Sequence, residues 1–181
     1  MDKRELEACI NEYGKDIYSF CRHLACSPQE AEDLYQDTFL KALELEERID
    51  FDNNPKSWLL SVALRIWKNR KRKYAWRKRI ADMQPMIEEK DIGEGDIPGT
   101  SELSPEERIL GQEERRAVRQ AVDRLPQRLR TVVLLYYMEE QSTEAIARIM
   151  QIPAGTVLSR LYKARKILKK ELESDLYGKE I

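Results

Sequence analysis

Residues 81–107 hold nine acidic side chains against one basic group, Lys90, with three Gly, three Pro and no aromatic residue. A stretch of this composition cannot bury enough apolar surface to offset the entropy of ordering it. It therefore divides a chain of 181 residues into two flanks, 1–80 and 108–181. Each flank is long enough for a small domain and too short for a deep core. The connector would span at most ~90 Å if fully extended and roughly 30 Å as a flexible coil. The flanks are thus expected to act as separate modules on one extended partner.

Charge separates the same three segments. The net of −1 arises from +2 over residues 1–80, −8 over 81–107 and +5 over 108–181. Nine Lys and Arg fall between Arg65 and Arg79 with no acid among them, and six between Ile152 and Lys170, again without an acid. Sign asymmetry of this kind is a statement about partners. Two basic surfaces joined by an acidic strap are compatible with nucleic acid, although the total charge is close to zero.

Both flanks read as helical. Seven Gly and seven Pro are few for a loop-rich β protein, and 36% charged residues suit thin helical domains with large solvated faces. Leu6, Cys9/Ile10, Tyr13, Ile17, Phe20/Cys21 and Leu24 recur at three-to-four spacing, which predicts a long amphipathic helix. Ser27-Pro28-Gln29-Glu30 combines a capping box with Pro at the first helical position, and opens a helix carrying Ala31, Leu34/Tyr35, Thr38/Phe39 and Ala42/Leu43. Asn54-Pro55 starts a third, with Leu59, Val62/Ala63 and Ile66 on one face and Trp58 read as core. Beyond the connector, Ser104-Pro105-Glu106-Glu107 repeats the start signal, and Pro126 ends the helix it opens. A short helix over Gln127–Met138 follows. The fold class expected is all-α: two small helical domains, 1–80 and 108–181, joined by a flexible acidic linker, 81–107.

The stretch from Gln141 to Leu172 predicts a helix-turn-helix. Ser142 or Thr143 can cap a short helix through Met150, Gln151-Ile152-Pro153 breaks it, and a second helix runs over about 154–173. Ala147 is small enough to stand where the helices cross. Glutamine replaces the usual turn glycine at Gln151, so a less strained turn is expected. Val157, Leu161, Ala164 and Leu168 form the inward stripe of the second helix. Thr156, Ser159, Arg160, Tyr162, Lys163, Arg165 and Lys166 lie off it as candidate DNA contacts. Short hydroxyls near the N-terminus and long cations around them are what a major-groove helix needs, compact groups for bases and cations for phosphates.

The run from Arg65 to Arg79 is interleaved with Trp67, Tyr74 and Trp76. Cations that track phosphates and aromatic faces that stack on unpaired bases are the design of single-strand binding. A solvated helix end with aromatics packed inward fits the pattern equally well.

At this point the chain resembles bacterial RNA polymerase sigma factors of the extracytoplasmic-function (ECF) sigma-70 subfamily, over nearly its whole length. The resemblance rests on Ala31-Glu32-Asp33-Leu34-Tyr35-Gln36-Asp37-Thr38-Phe39-Leu40-Lys41-Ala42, on Trp58-Leu59 with the basic helix after it, on Leu125-Pro126, and on the run Ile152-Pro153-Ala154-Gly155-Thr156-Val157-Leu158-Ser159-Arg160-Leu161-Tyr162-Lys163-Ala164-Arg165. It implies that Asp33, Gln36 and Asp37 dock on the β′ clamp helices of core RNA polymerase. It implies that Arg65, Lys68, Asn69, Lys71, Arg72 and Lys73 melt and read a −10 element as single strand. Arg65 stands where some members carry Asn. The second helix of the helix-turn-helix would read a −35 element as duplex, with Leu158 at a position often basic in relatives. The acidic linker would thread the polymerase cleft. An anti-sigma factor is an expected partner, the setting is cytoplasmic, and no membrane insertion is expected.

Other functions fit less of the sequence. A stand-alone repressor or activator would need the helix-turn-helix but neither the first domain nor the strap. An enzyme is not expected: there is one His, no P-loop, and Gly93-Glu94-Gly95 is too isolated for a nucleotide fingerprint. Cys21, His23 and Cys26 suggest zinc, but Cys9 and Cys21 belong to the apolar stripe, and Cys21 and His23 point to nearly opposite sides of one helix. No metal and no cofactor is expected, and the thiols read as buried or free cytosolic groups.

Overall fold

A computed structural model of the chain describes residues 3–45, 54–81 and 105–177. Apart from Ala81 and residues 105–107, the acidic connector lies outside the described residues. All regular elements among the described residues are helical. They form two compact units.

The first unit contains α1 (Lys3–Leu24), α2 (Pro28–Glu44) and α3 (Pro55–Ala81), each packed on the other two. Ser27 starts α2 from extended geometry, φ −142° and ψ 158°, and its hydroxyl accepts from the Glu30 N–H at 3.1 Å. Glu30 returns its carboxylate to the N–H of Cys26 at 2.8 Å, so the reciprocal cap closes one residue before Ser27. Asn54 caps α3 by accepting from the Ser57 N–H at 3.1 Å, and does so from the left-handed region at φ 64°, which asparagine tolerates. The core is built from Ile17, Phe20 and Cys21 of α1, Ala31, Leu34 and Phe39 of α2, and Leu59, Leu60 and Leu64 of α3. Gly14 lies where α1 and α2 come closest: a Cβ there would stand 3.0 Å from Tyr35 Oη. Trp58 is only half-buried; the tryptophan in the core is Trp67, nine residues on.

The second unit contains α4 (Pro105–Arg124), α5 (Gln127–Val133), α6 (Thr143–Met150) as far as Ala147, and α7 (Ala154–Tyr177). Leu125, Val133 and Ala164 are its buried nucleus, with Val122, Leu129, Ile167 and Leu168 packed around them. The helix expected over Gln127–Met138 does not continue regularly. It passes at Leu134 into a π-helical turn, Leu134–Met138, in which the Glu139 N–H reaches back to the Leu134 carbonyl at 3.1 Å. Leu134 and Leu135 continue the buried run of Thr131, Val132 and Val133, while Tyr137 faces outward, 55% exposed.

Ser142, not Thr143, caps α6, accepting from the Ala145 N–H at 3.1 Å. At the other end of α6 the Ile152 N–H bonds the Ala147 carbonyl at 3.0 Å, and the Gln151 N–H bonds the Arg148 carbonyl at 3.3 Å. This pair is a Schellman ending with Gln151 as the left-handed residue, φ 57°. The expectation of a less strained turn is therefore corrected. The turn keeps the left-handed conformation that glycine would relieve, because the two bonds satisfy carbonyls that α6 would otherwise leave open. Ala147 is half-buried, while Ala145, Ile146, Ile149 and Met150 are the buried residues of α6.

Candidate nucleic-acid interface

On α7 the buried stripe is Val157, Leu161 and Ala164, with Leu168 half-covered. Opposite it, at i, i+4, i+7 and i+11, stand Gly155, Ser159, Tyr162 and Lys166, all exposed. Thr156 and Arg160 are half-buried on one shoulder of this line, with Lys163 exposed nearer its crest. Leu158, 56% exposed, lies on the other. Among the described residues, a Cβ added at Gly155 would meet nothing within 4 Å, so this glycine answers no packing need there. Ser159 donates its hydroxyl to the Thr156 carbonyl at 3.0 Å, which leaves it acceptor capacity only.

Arg165 differs from the other candidates. Its Nε donates to Tyr137 Oη at 2.8 Å, and its guanidinium stands 5.7 and 5.8 Å from the Tyr136 and Tyr137 ring centres. The hydrogen bond to Tyr137 pushes its already high pKa further up, against a small opposing effect of burial. One edge of the guanidinium is thus held, and the terminal nitrogens project from a fixed base. The π turn that presents Tyr137 has no mark in residue spacing, so this partnership was not legible in the sequence.

On α3 the same i, i+4, i+7, i+11 line is Arg65, Asn69, Arg72 and Trp76. Arg72 Nη2 donates to Asn69 Oδ1 at 2.9 Å, and Lys68 and Lys73 are exposed on either side. Lys71 leaves this strip: its ammonium lies 3.3 Å from Cys26 Sγ and 5.8 Å from the Trp67 ring centre. The interleaved aromatics divide between the two readings. Trp67 packs inward, and Tyr74 and Trp76 are each 65% exposed. Trp76 extends the cationic line and belongs with the candidates.

On α2, Asp33, Gln36 and Asp37 are exposed on one face, and Leu40, 59% exposed, completes it at i+7 from Asp33. Asp37 pairs with Arg70 of α3 at 2.5 Å, and Arg70 also donates to the Asp33 carbonyl at 3.2 Å. The acidic face and the basic helix are therefore linked within one unit. Among the described residues, no three His, Cys, Asp or Glu side chains converge on a point that could hold a metal ion. Cys9 and Cys21 are buried and Cys26 is exposed; burial, then Glu12 and Glu5, raises the Cys9 pKa.

The family model for Sigma-70 region 2 matches residues 9–77, and that for Sigma-70, region 4 matches residues 115–168. The RNA polymerase sigma-H factor of Pseudomonas aeruginosa is 33% identical over 172 residues, 95% of this chain and 88% of that protein. The chain belongs to the sigma-70 family, in its extracytoplasmic-function group. This sigma factor is also 27% identical to the ECF RNA polymerase sigma factor SigW of Bacillus subtilis, over 90% of this chain and 86% of the relative. Its function is promoter-specific initiation of transcription by RNA polymerase.

Among solved structures, its fold is similar to that of the sigma factor RpoE of Bartonella quintana, crystallised with the anti-sigma factor NepR. The TM-score is 0.74 at 23% identity, covering 95% of this chain and 99% of that one. CnrH, solved with the cytosolic domain of CnrY, gives a TM-score of 0.65 at 17% identity, over 96% of this sigma factor and 91% of that chain. Among its described residues no helix is long and apolar enough to cross a membrane.

Proposed function

We propose a division of labour inside this sigma factor that assigns each exposed face one task. Residues 1–80 form the polymerase-docking and −10 domain, 81–107 the acidic connector, and 108–181 the −35 domain. Asp33, Gln36 and Asp37, with Leu40 beside them, meet the clamp helices of the polymerase β′ subunit. Arg65, Lys68, Asn69, Arg72 and Lys73 follow the phosphates of the melted −10 strand, and Trp76 offers a ring to an unpaired base. Lys71 supports that strip from the side. Thr156, Ser159, Arg160, Tyr162, Lys163, Arg165 and Lys166 enter or flank the major groove of the −35 duplex.

The observation that carries this reading is the acid-free outward line on each of α3 and α7, set opposite a buried stripe on α7 and, as far as Trp67, on α3. Such a line presents a positive surface that attracts a polyanion. The chain supplies no catalytic group to the reaction and works in the cytoplasm, where it meets the polymerase. An anti-sigma factor holds it when it is idle, a partner of the kind that NepR is for RpoE.

Reconstitution with purified core polymerase tests the assignment. Wild-type protein should co-elute with core and start transcripts at mapped promoters. Arg160→Ala and Lys163→Ala should each reduce the salt dependence of −35 duplex binding, by about one unit of slope for every phosphate left without its cation. An unchanged slope returns that shoulder of α7 to a merely solvated surface.

A further inference from the structure

The outward surface of α7 has two unlike shoulders. One carries Thr156, Arg160 and Lys163. The other carries Leu158, whose exposed aliphatic chain stands one turn before Tyr162, itself 69% exposed. At i and i+4 the two side chains lie on the same side of the helix, in its first three turns. Among the described residues, Val157, Leu161 and Ala164 already fill the inward stripe, and Leu158 is not part of it. Tying the Ser159 hydroxyl to the Thr156 carbonyl removes the donor nearest Leu158. The bare backbone at Gly155 lets this end of the helix come close to a partner.

In a major groove, the group that favours an apolar side chain is the 5-methyl of thymine. We propose that Leu158, backed by Tyr162, is a specificity-determining residue that reads thymine methyl groups in the upstream duplex element. This rests on α7 being the −35 reader. It adds a hydrophobic readout to a face otherwise read through cations and hydroxyls. Burial of one methyl group corresponds to about a fourfold preference for thymine over uracil.

Holoenzyme reconstituted from core polymerase and the full chain would be used to select from a duplex pool randomised over the upstream ten base pairs. The pool would be made twice, once with thymidine and once with deoxyuridine throughout the window. Wild-type holoenzyme should enrich thymine at one or two positions in the first pool, and the enrichment at those positions should be about fourfold weaker in the second. Leu158→Ala should lose the same preference while binding core polymerase as before. Leu158→Arg should move the preference toward guanine, the base that a guanidinium reads at its N7 and O6.

Equal enrichment in both pools, or undiminished enrichment with Leu158→Ala, would overturn the proposal while leaving α7 as the upstream reader. Holoenzyme that binds downstream DNA but selects no upstream sequence would overturn the proposal together with the assignment of α7. Failure to form holoenzyme would remove the polymerase reading on which both depend.

Discussion

Gln151 carries a strain that its own side chain does not offset. A non-glycine residue in the left-handed region is destabilised by roughly 1–2 kcal/mol, and the turn between α6 and α7 needs that geometry for its two closing hydrogen bonds. Gln151→Gly removes the steric cost but adds freedom to the unfolded chain. The expected result is a net gain of about 0.5 kcal/mol in urea unfolding. Gln151→Val, β-branched at the same position, should instead lose stability; equal stability of the two variants would place the strain elsewhere. Asp37 is the opposite case. Its ion pair with Arg70 is partly exposed, with side chains 51% and 31% accessible, and pairs of that kind contribute about 0–1 kcal/mol. Exchanging Arg70 for another cation therefore costs little, and the carboxylate is already held in one orientation before a partner arrives.

Element starts were the most legible part of the sequence, because each is written in short-range chemistry. Ser27-Pro28 and Asn54-Pro55 open α2 and α3 where their residue types dictate, and Ser104-Pro105 places the start of α4. Ser27→Ala should destabilise the first unit by about 1 kcal/mol, seen as a lower urea midpoint with an unchanged m-value. A changed m-value would mean that α2 frays as a whole. The stripes of α1 and α7 were equally readable from their period. What escaped the sequence was every feature set by a distant contact or by an irregular turn. Trp67 and Trp76 are both tryptophans in one basic run, and only the bundle beside α3 decides that the first is buried and the second exposed. The grip of Tyr137 on Arg165 spans 28 residues and depends on a widened turn that no periodicity announces.

At the scale of the whole molecule, charge distribution is the most informative property, and it was readable once the total was divided. A net of −1 conceals two cationic segments and an acidic one between them. The three cations Lys71, Arg72 and Lys73 lie side by side in sequence but not in role, since only Lys71 contacts Cys26 and Trp67. Replacing all three by Gln should reduce promoter opening, read as permanganate reactivity of unpaired thymines, several-fold more than it reduces core binding. Equal loss of both would assign the run to general electrostatic attraction.

The π-helical turn at Leu134–Met138 has a further consequence for how such a chain can change length. A π turn is a helix with one residue in excess, absorbed locally. Rewinding the same residues to regular α pitch would rotate all that follows by about 100°. Tyr137 would then swing away from Arg165. The spacing between α5 and α6 is therefore a phase setting, in which the number of residues fixes an angle as well as a length.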